Sequence, residues 1–184
     1  MQKGISKEPE KSVGNMKNRK LLSDHGLTMM ELIITVVIIG VLAALAAPSF
    51  DRGIQRIKFR GESKDIVSLL RTARSEAITQ KDPYGVYFDN SARIIKMFKD
   101  KVNLSSYIFE DGSDSVVSVD TLPAEFVYLY ASFANSAVVF QPNGAGSGSG
   151  DIYLMSDCRG IINFSQINVL ASTGKTKLLA IHNY

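Results

Sequence analysis

The sequence holds one cysteine, two histidines and, beyond its first 26 residues, no excess of either charge. Cys158 has no second thiol, so an intramolecular disulfide is excluded and cysteine usage does not reveal the redox compartment. A single thiol of this kind reads as a small buried hydrophobe before it reads as a nucleophile. His25 and His182 are the only imidazoles. A Ser-His-Asp or Cys-His constellation would therefore rest on His182, close to the C-terminus. A zinc site built from His and Cys lacks enough ligands. Neither an enzyme nor a metal or cofactor protein is expected. The formal charge of +3 is localised: residues 1–26 carry Lys3, Lys7, Lys11, Lys17, Arg19 and Lys20 against Glu8, Glu10 and Asp24, and residues 27–184 hold 15 bases and 15 acids. No global field draws a nucleic acid to this chain. Its 184 residues leave room for about one domain plus appendages.

What is present is one long apolar run, "HGLTMMELIITVVIIGVLAALAAPSF" (25–50). From Leu27 to Ala47 it spans 21 residues with Glu31 as the only charge. At 1.5 Å per residue it makes roughly 31 Å of helix, about the thickness of a bilayer's hydrocarbon core. As a cleaved signal peptide it is long, and Pro48 stands where a cut after Ala47 would need a small, permissive residue. As a plain membrane anchor it leaves Glu31 as an unexplained penalty of about 3 kcal/mol.

Gly26-Leu27-Thr28-Met29-Met30-Glu31 followed by this apolar helix resembles the N-terminus of type IV pilins and type II secretion pseudopilins. The resemblance implies cleavage after Gly26 by a prepilin peptidase and methylation of the new amine at Leu27. Glu31 then falls on the family's fifth mature position, Pro48 on its twenty-second, and Gly40 on its mid-helix glycine. Leu27 replaces the usual phenylalanine, one apolar residue for another. In this family Glu31 of one subunit would meet the terminal ammonium of a neighbour as staggered helices stack. Each charge would offset the other's burial, and a wrong register would leave both uncompensated. The resemblance places the N-terminus in the cytoplasm; the charges do not, because Lys17, Arg19 and Lys20 before the span are matched by Arg52, Arg56, Lys58 and Arg60 after it. Met16 is an alternative start, giving the short basic leader "MKNRKLLSDHG".

Beyond Pro48, where a helix can bend, residues 49–80 regain a helical pattern. Phe50, Ile54 and Ile57, then Ile66, Leu70, Ala73 and Ala77, recur at three- and four-residue spacing. Charged residues lie between them, as expected of a solvated face. Gly53 and Gly61 weaken the helix by about 1 kcal/mol each relative to alanine. After Lys81-Asp82-Pro83 the period shortens. Segments 84–89, 92–98, 105–110, 115–120, 126–131, 137–141, 151–156, 160–165 and 176–181 read as strands separated by Asn, Asp, Gly and Ser turns. The expected class is α+β: a long N-terminal helix, half membrane-spanning and half amphipathic, packed on an antiparallel β-sheet in a pilin-like globular domain. The expected divisions are a cleaved leader (1–26), a transmembrane half-helix (27–47), an amphipathic half-helix (48–80) and a β-rich globular region (81–184).

Two glycine-rich stretches imitate nucleotide motifs. "NGAGSGSG" (143–150) has no helix pattern after it and reads as a hairpin loop. "STGKTK" (172–177) ends like a P-loop but has Val169 where that motif requires glycine. By contrast "LLRTARSEAI" (69–78), Phe140-x-Pro142-x-Gly144 and Gly174-Lys175-Thr176-Lys177 resemble the GspH/FimT group of minor pilins and pseudopilins. Region 100–136 has no counterpart there.

Two functions follow. The first is a structural subunit of a type II secretion pseudopilus or type IV pilus, single-pass in a bacterial inner membrane with its globular domain periplasmic. Its partners would be other pilins, the prepilin peptidase and the inner-membrane assembly platform. The second, implied by the FimT branch, is DNA uptake through Lys175 and Lys177. Lysine offers a point charge where arginine grips phosphate with two donors, and two lysines neutralise about two phosphates. Solvated lysines on an exposed turn account for the pair equally, and the structural reading is preferred.

Overall fold

The computed structural model describes residues 27–102, 107–158 and 160–183. The expected leader, with Gly26, lies outside the described residues. Helix α1 spans Met29–Gln80. The fold divides at Ala43/Ala44 into two units, the second being Ala44–Tyr184.

In the first unit Thr28 caps the helix: its Oγ1 accepts the Glu31 N–H at 3.2 Å. This satisfies one of the four amides that every helix start leaves without an intrahelical acceptor. Every described residue up to Ala43 is exposed. The most apolar 18-residue window of α1 has a mean hydropathy of 2.6 and buries nothing, so by length and composition it can cross a membrane.

In the second unit the helix runs through Pro48. A proline has no N–H to return to the carbonyl four residues earlier, here Ala44. Burial begins only at Phe59 and continues through Ser63, Ile66, Val67, Leu70, Ala73 and Ala77. The apolar pattern expected to form one face therefore splits in two. Ile57 and Ile66 are nine residues apart, about 900° of rotation at 100° per residue, hence opposite sides of the helix. Phe50, Ile54 and Ile57 remain 71%, 50% and 71% exposed.

Eight strands follow among the described residues: β1 (Tyr84–Asp89), β2 (Ile94–Lys99), β3 (Ser115–Thr121), β4 (Phe126–Ala131), β5 (Ala137–Phe140), β6 (Gly150–Cys158), β7 (Ile161–Leu170) and β8 (Lys175–Asn183). They form two four-stranded antiparallel sheets, ordered β3-β2-β1-β5 and β4-β6-β7-β8, where the sequence suggested one. The turn through Pro123 carries the chain from β3 to β4 and so from one sheet to the other. The core joins the buried helix face to Val86, Phe88 and Ile95 of one sheet and Leu129, Ile152, Leu154 and Ile167 of the other. Phe59 stacks on Phe126 at 5.6 Å, and the Ser63 hydroxyl, which also bonds to Phe59 O, lies 3.0 Å from that of Ser165. Gly85 is glycine for packing: a Cβ there would run into the Phe98 ring.

Of the expected strand 105–110, the described residues 107–110 form no strand. Residues 107–110 are irregular and Tyr107 has φ +55°, outside extended backbone. The apolar character of "YIF" serves packing instead. The Phe109 ring lies 5.0 Å from both Tyr87 and Phe98, and Lys96 Nζ sits 4.9 Å from its centre.

Candidate functional site

Three surfaces carry the residues singled out in the sequence. On the first unit, Leu27 and Glu31 are exposed. Around Gly40 a Cβ would meet no atom within 4 Å, so a neighbouring backbone could approach closely there. The Thr28 cap binds the backbone N–H of Glu31, and the spacing Thr-x-x-Glu is that of a capping box. The hydroxyl at Thr28, three residues before Glu31, is the sequence signal of this helix start.

The second surface is the unburied stripe of the second unit. Ala46, Ser49, Phe50, Gly53, Ile54 and Ile57 line an open apolar groove of about 490 Å³ on α1. Among the described residues, only helix residues line it. Pro48 lies beside a separate hollow of about 540 Å³ shared with Ala44, Ala47, Asp51, Arg52, Gln55, Ile161 and half-buried Cys158.

The third surface is basic. Lys175 and Lys177 point outward from β8, while Thr176 between them is buried. Lys175, Thr173, Gly174 and Thr176 line a hollow of about 510 Å³ together with Arg71 and Arg74 of α1. Arg74 Nε donates to the Gly144 carbonyl at 2.9 Å, and Arg71 Nη2 lies 3.5 Å from Thr176 O. Gly144 and Gly174 have φ of +81° and +59°, and a Cβ on Gly174 would strike the Gly144 carbonyl oxygen. Arg74 thus ties the Phe140-x-Pro142-x-Gly144 turn to the β7–β8 turn, a junction invisible in either segment alone. Among the described residues the ion pairs are Lys96–Asp111 (3.4 Å) and Lys99–Asp82 (2.6 Å), so none of these four cations is held by a carboxylate. The opposite flank of the helix is acidic: burial, then Asp120, Asp65 and Glu125, push the Glu62 carboxyl above its usual range. His182, expected near a loose chain end, is held in β8 opposite Phe164.

Fold and surfaces together define a pilin-like subunit: an apolar N-terminal helix continuing into a β-rich globular body. Residues 62–172 match the family Type II transport protein GspH, and the chain belongs to that family. The structure is similar to the minor pseudopilin EpsH from the Type 2 Secretion System of Vibrio cholerae, with a TM-score of 0.51 and 14% identity, covering 66% of this chain and 95% of that one. The type IV minor pilin FimU of Pseudomonas aeruginosa PAO1 matches with a TM-score of 0.51 and 12% identity, covering 68% and 91%. In sequence, 61 residues are 41% identical to the Type IV major pilin protein PilA of Myxococcus xanthus, a third (33%) of this chain. The chain spans about a quarter (27%) of that relative's length.

Proposed function

We propose that this protein is a minor pseudopilin or minor pilin, a structural subunit that leaves the inner membrane to join a filament, with its globular body periplasmic. The observation that carries this reading is the second apolar stripe. Phe50, Ile54 and Ile57 extend the apolar surface of α1 beyond the expected membrane span, yet face away from the subunit's own core. A globular domain that keeps such a stripe exposed has a partner for it. In a filament of staggered helices the partner is a neighbouring pilin's helix, and Glu31 sets the register by pairing with that neighbour's terminal amine.

Ile57→Asp tests this. At 71% exposure the side chain makes little of the subunit's own stability, so the substitution should shift unfolding by less than about 0.5 kcal/mol. Crosslinking to other pilins in cells should nonetheless fall at least tenfold, as expected when a charge is placed in an apolar helix contact. Wild-type crosslinking in a normally folded variant would refute the helix-packing reading.

A second reading is favoured by one observation: Arg71 and Arg74 stand beside Lys175 around a single hollow, with no carboxylate partner among the described residues. Were DNA the ligand, the protein would retard duplexes of any sequence, and salt would abolish the shift. Replacing Lys175 and Lys177 by alanine would lower the salt slope by about two units. We expect no retardation even at low salt, because the surplus over the chain from Ser49 onward is one base, 15 against 14 acids. Binding by the wild type would restore DNA uptake.

A further inference from the structure

From Ser49 onward the chain is close to neutral, 15 bases against 14 acids, yet its charges are sorted by place. Arg71, Arg74 and Lys175 surround the hollow of about 510 Å³ between α1 and the β7–β8 turn, and among the described residues no carboxylate lines it. None of the three is in an ion pair among those residues. Arg71 and Lys175 are exposed, and Arg74 gives its Nε–H to the Gly144 carbonyl. The hollow is a socket for negative charge that the subunit's own acids leave to solvent.

Those acids gather elsewhere on the same unit. Asp65 of α1 lines one hollow with Asp120 of β3 and a second with Glu62 and Glu125. Lys58 also lines the second, but none of the four acids is in an ion pair among the described residues. Asp65 and Asp120 are exposed. Asp65 and Arg71 are six residues apart, so at 100° per residue they point about 120° away from each other around the helix. Acidic and basic surfaces therefore face different sides of one body.

We propose that the basic hollow receives the acidic flank of a second copy of this chain, with Arg71 and Lys175 meeting Asp65 and Asp120. The proposal rests on the filament reading given above. Complementary potentials favour this head-to-tail arrangement, whereas acid against acid or base against base is repelled. A contact between two different patches is heterologous and repeats into an open chain, as a filament requires. On α1 the acids at 62–65 precede the bases at 71–74 by nine residues, about 13.5 Å of axial rise, so each copy is staggered along its neighbour. A minor subunit that carries both halves of its contact would occur as consecutive copies, and its basic hollow would be filled by carboxylates in place of DNA phosphates. Exposed ion pairs are weak one by one and are screened by salt, so the contact sets orientation and order while the apolar helices supply adhesion.

The test co-expresses two full-length copies with different tags and measures crosslinking between them in membranes. Asp65→Lys with Asp120→Lys should lower copy-to-copy crosslinking by roughly fivefold, and Arg71→Glu with Lys175→Glu should do the same, since each reversal sets like charge against like. Co-expressing the two variants with each other should restore crosslinking toward the wild-type level. The new lysines of one then meet the new glutamates of the other, and the remaining native patches meet as before. A misfolded variant would not be rescued in this way. Wild-type copies that crosslink to other pilins but not to each other overturn the proposal and leave the filament reading standing. Reversals that crosslink like the wild type, or a mixed pair no better than either variant alone, also overturn it. Failure of the filament reading itself is read separately, from Ile57→Asp and its crosslinking to other pilins.

Discussion

Replacing Glu31 by alanine should leave the protein in the membrane and take it out of the filament. Removing a carboxylate from an apolar span favours insertion, by up to about 3 kcal/mol at mid-bilayer and less near the helix end where Glu31 stands. Assembly should move the other way. A neighbour's ammonium deprived of its partner is worth about 3–5 kcal/mol against the contact, a loss of roughly two to four orders of magnitude in association. The helix start is not the cause of such a loss, because Thr28 Oγ1 accepts the backbone N–H of residue 31, which alanine retains. Membrane fractionation with crosslinking to other pilins reads both effects at once. Undiminished crosslinking would remove Glu31 from the assembly mechanism, and loss from the membrane fraction would make it an insertion determinant instead.

The second large effect concerns processing. Mass spectrometry of the membrane-extracted protein should find a chain beginning at Leu27 with one methyl group on its amine. A bulky residue at the cleavage position, such as Gly26→Val, should accumulate unprocessed chain and abolish assembly, since the amine that would meet Glu31 is never released. This effect is all-or-none in origin: an uncut leader adds the basic residues Lys17, Arg19 and Lys20 ahead of the apolar helix. A mature chain starting at Pro48 would mean an ordinary signal peptide, and a wild-type chain retaining residues 16–26 would mean a plain anchor. Either would overturn the pilin-type pathway while leaving the fold untouched.

How much of this was legible beforehand follows from how far apart the deciding residues lie. The helix–strand order, most strand positions and the family were readable because each rests on short-range signals: a hexapeptide before an apolar run, a change of period after Pro83, glycines at turns. Strand β4 is found at the residues expected, Phe126–Ala131. The segment 107–110, read as part of a strand, has strand-like composition, but Phe109 packs on Tyr87 and Phe98, residues distant in sequence. Composition reports that a ring will be buried, not by which neighbour.

The sequence by itself determined an apolar helix of membrane length carrying one carboxylate in its first turn, and a β-rich body to follow it. These are local properties of spacing and hydropathy, and any fold of the chain must honour them. Only the tertiary structure decided which of two apolar stripes on α1 is core and which is surface. Both satisfy the helical period equally; the sheets cover Phe59 to Ala77 and leave Phe50 to Ile57 bare. Tertiary structure alone also brought Arg74 to Gly144 and Gly174. Such junctions join segments that chain closure brings together from 70 to 100 residues apart. No local propensity encodes which distant partner a side chain will find.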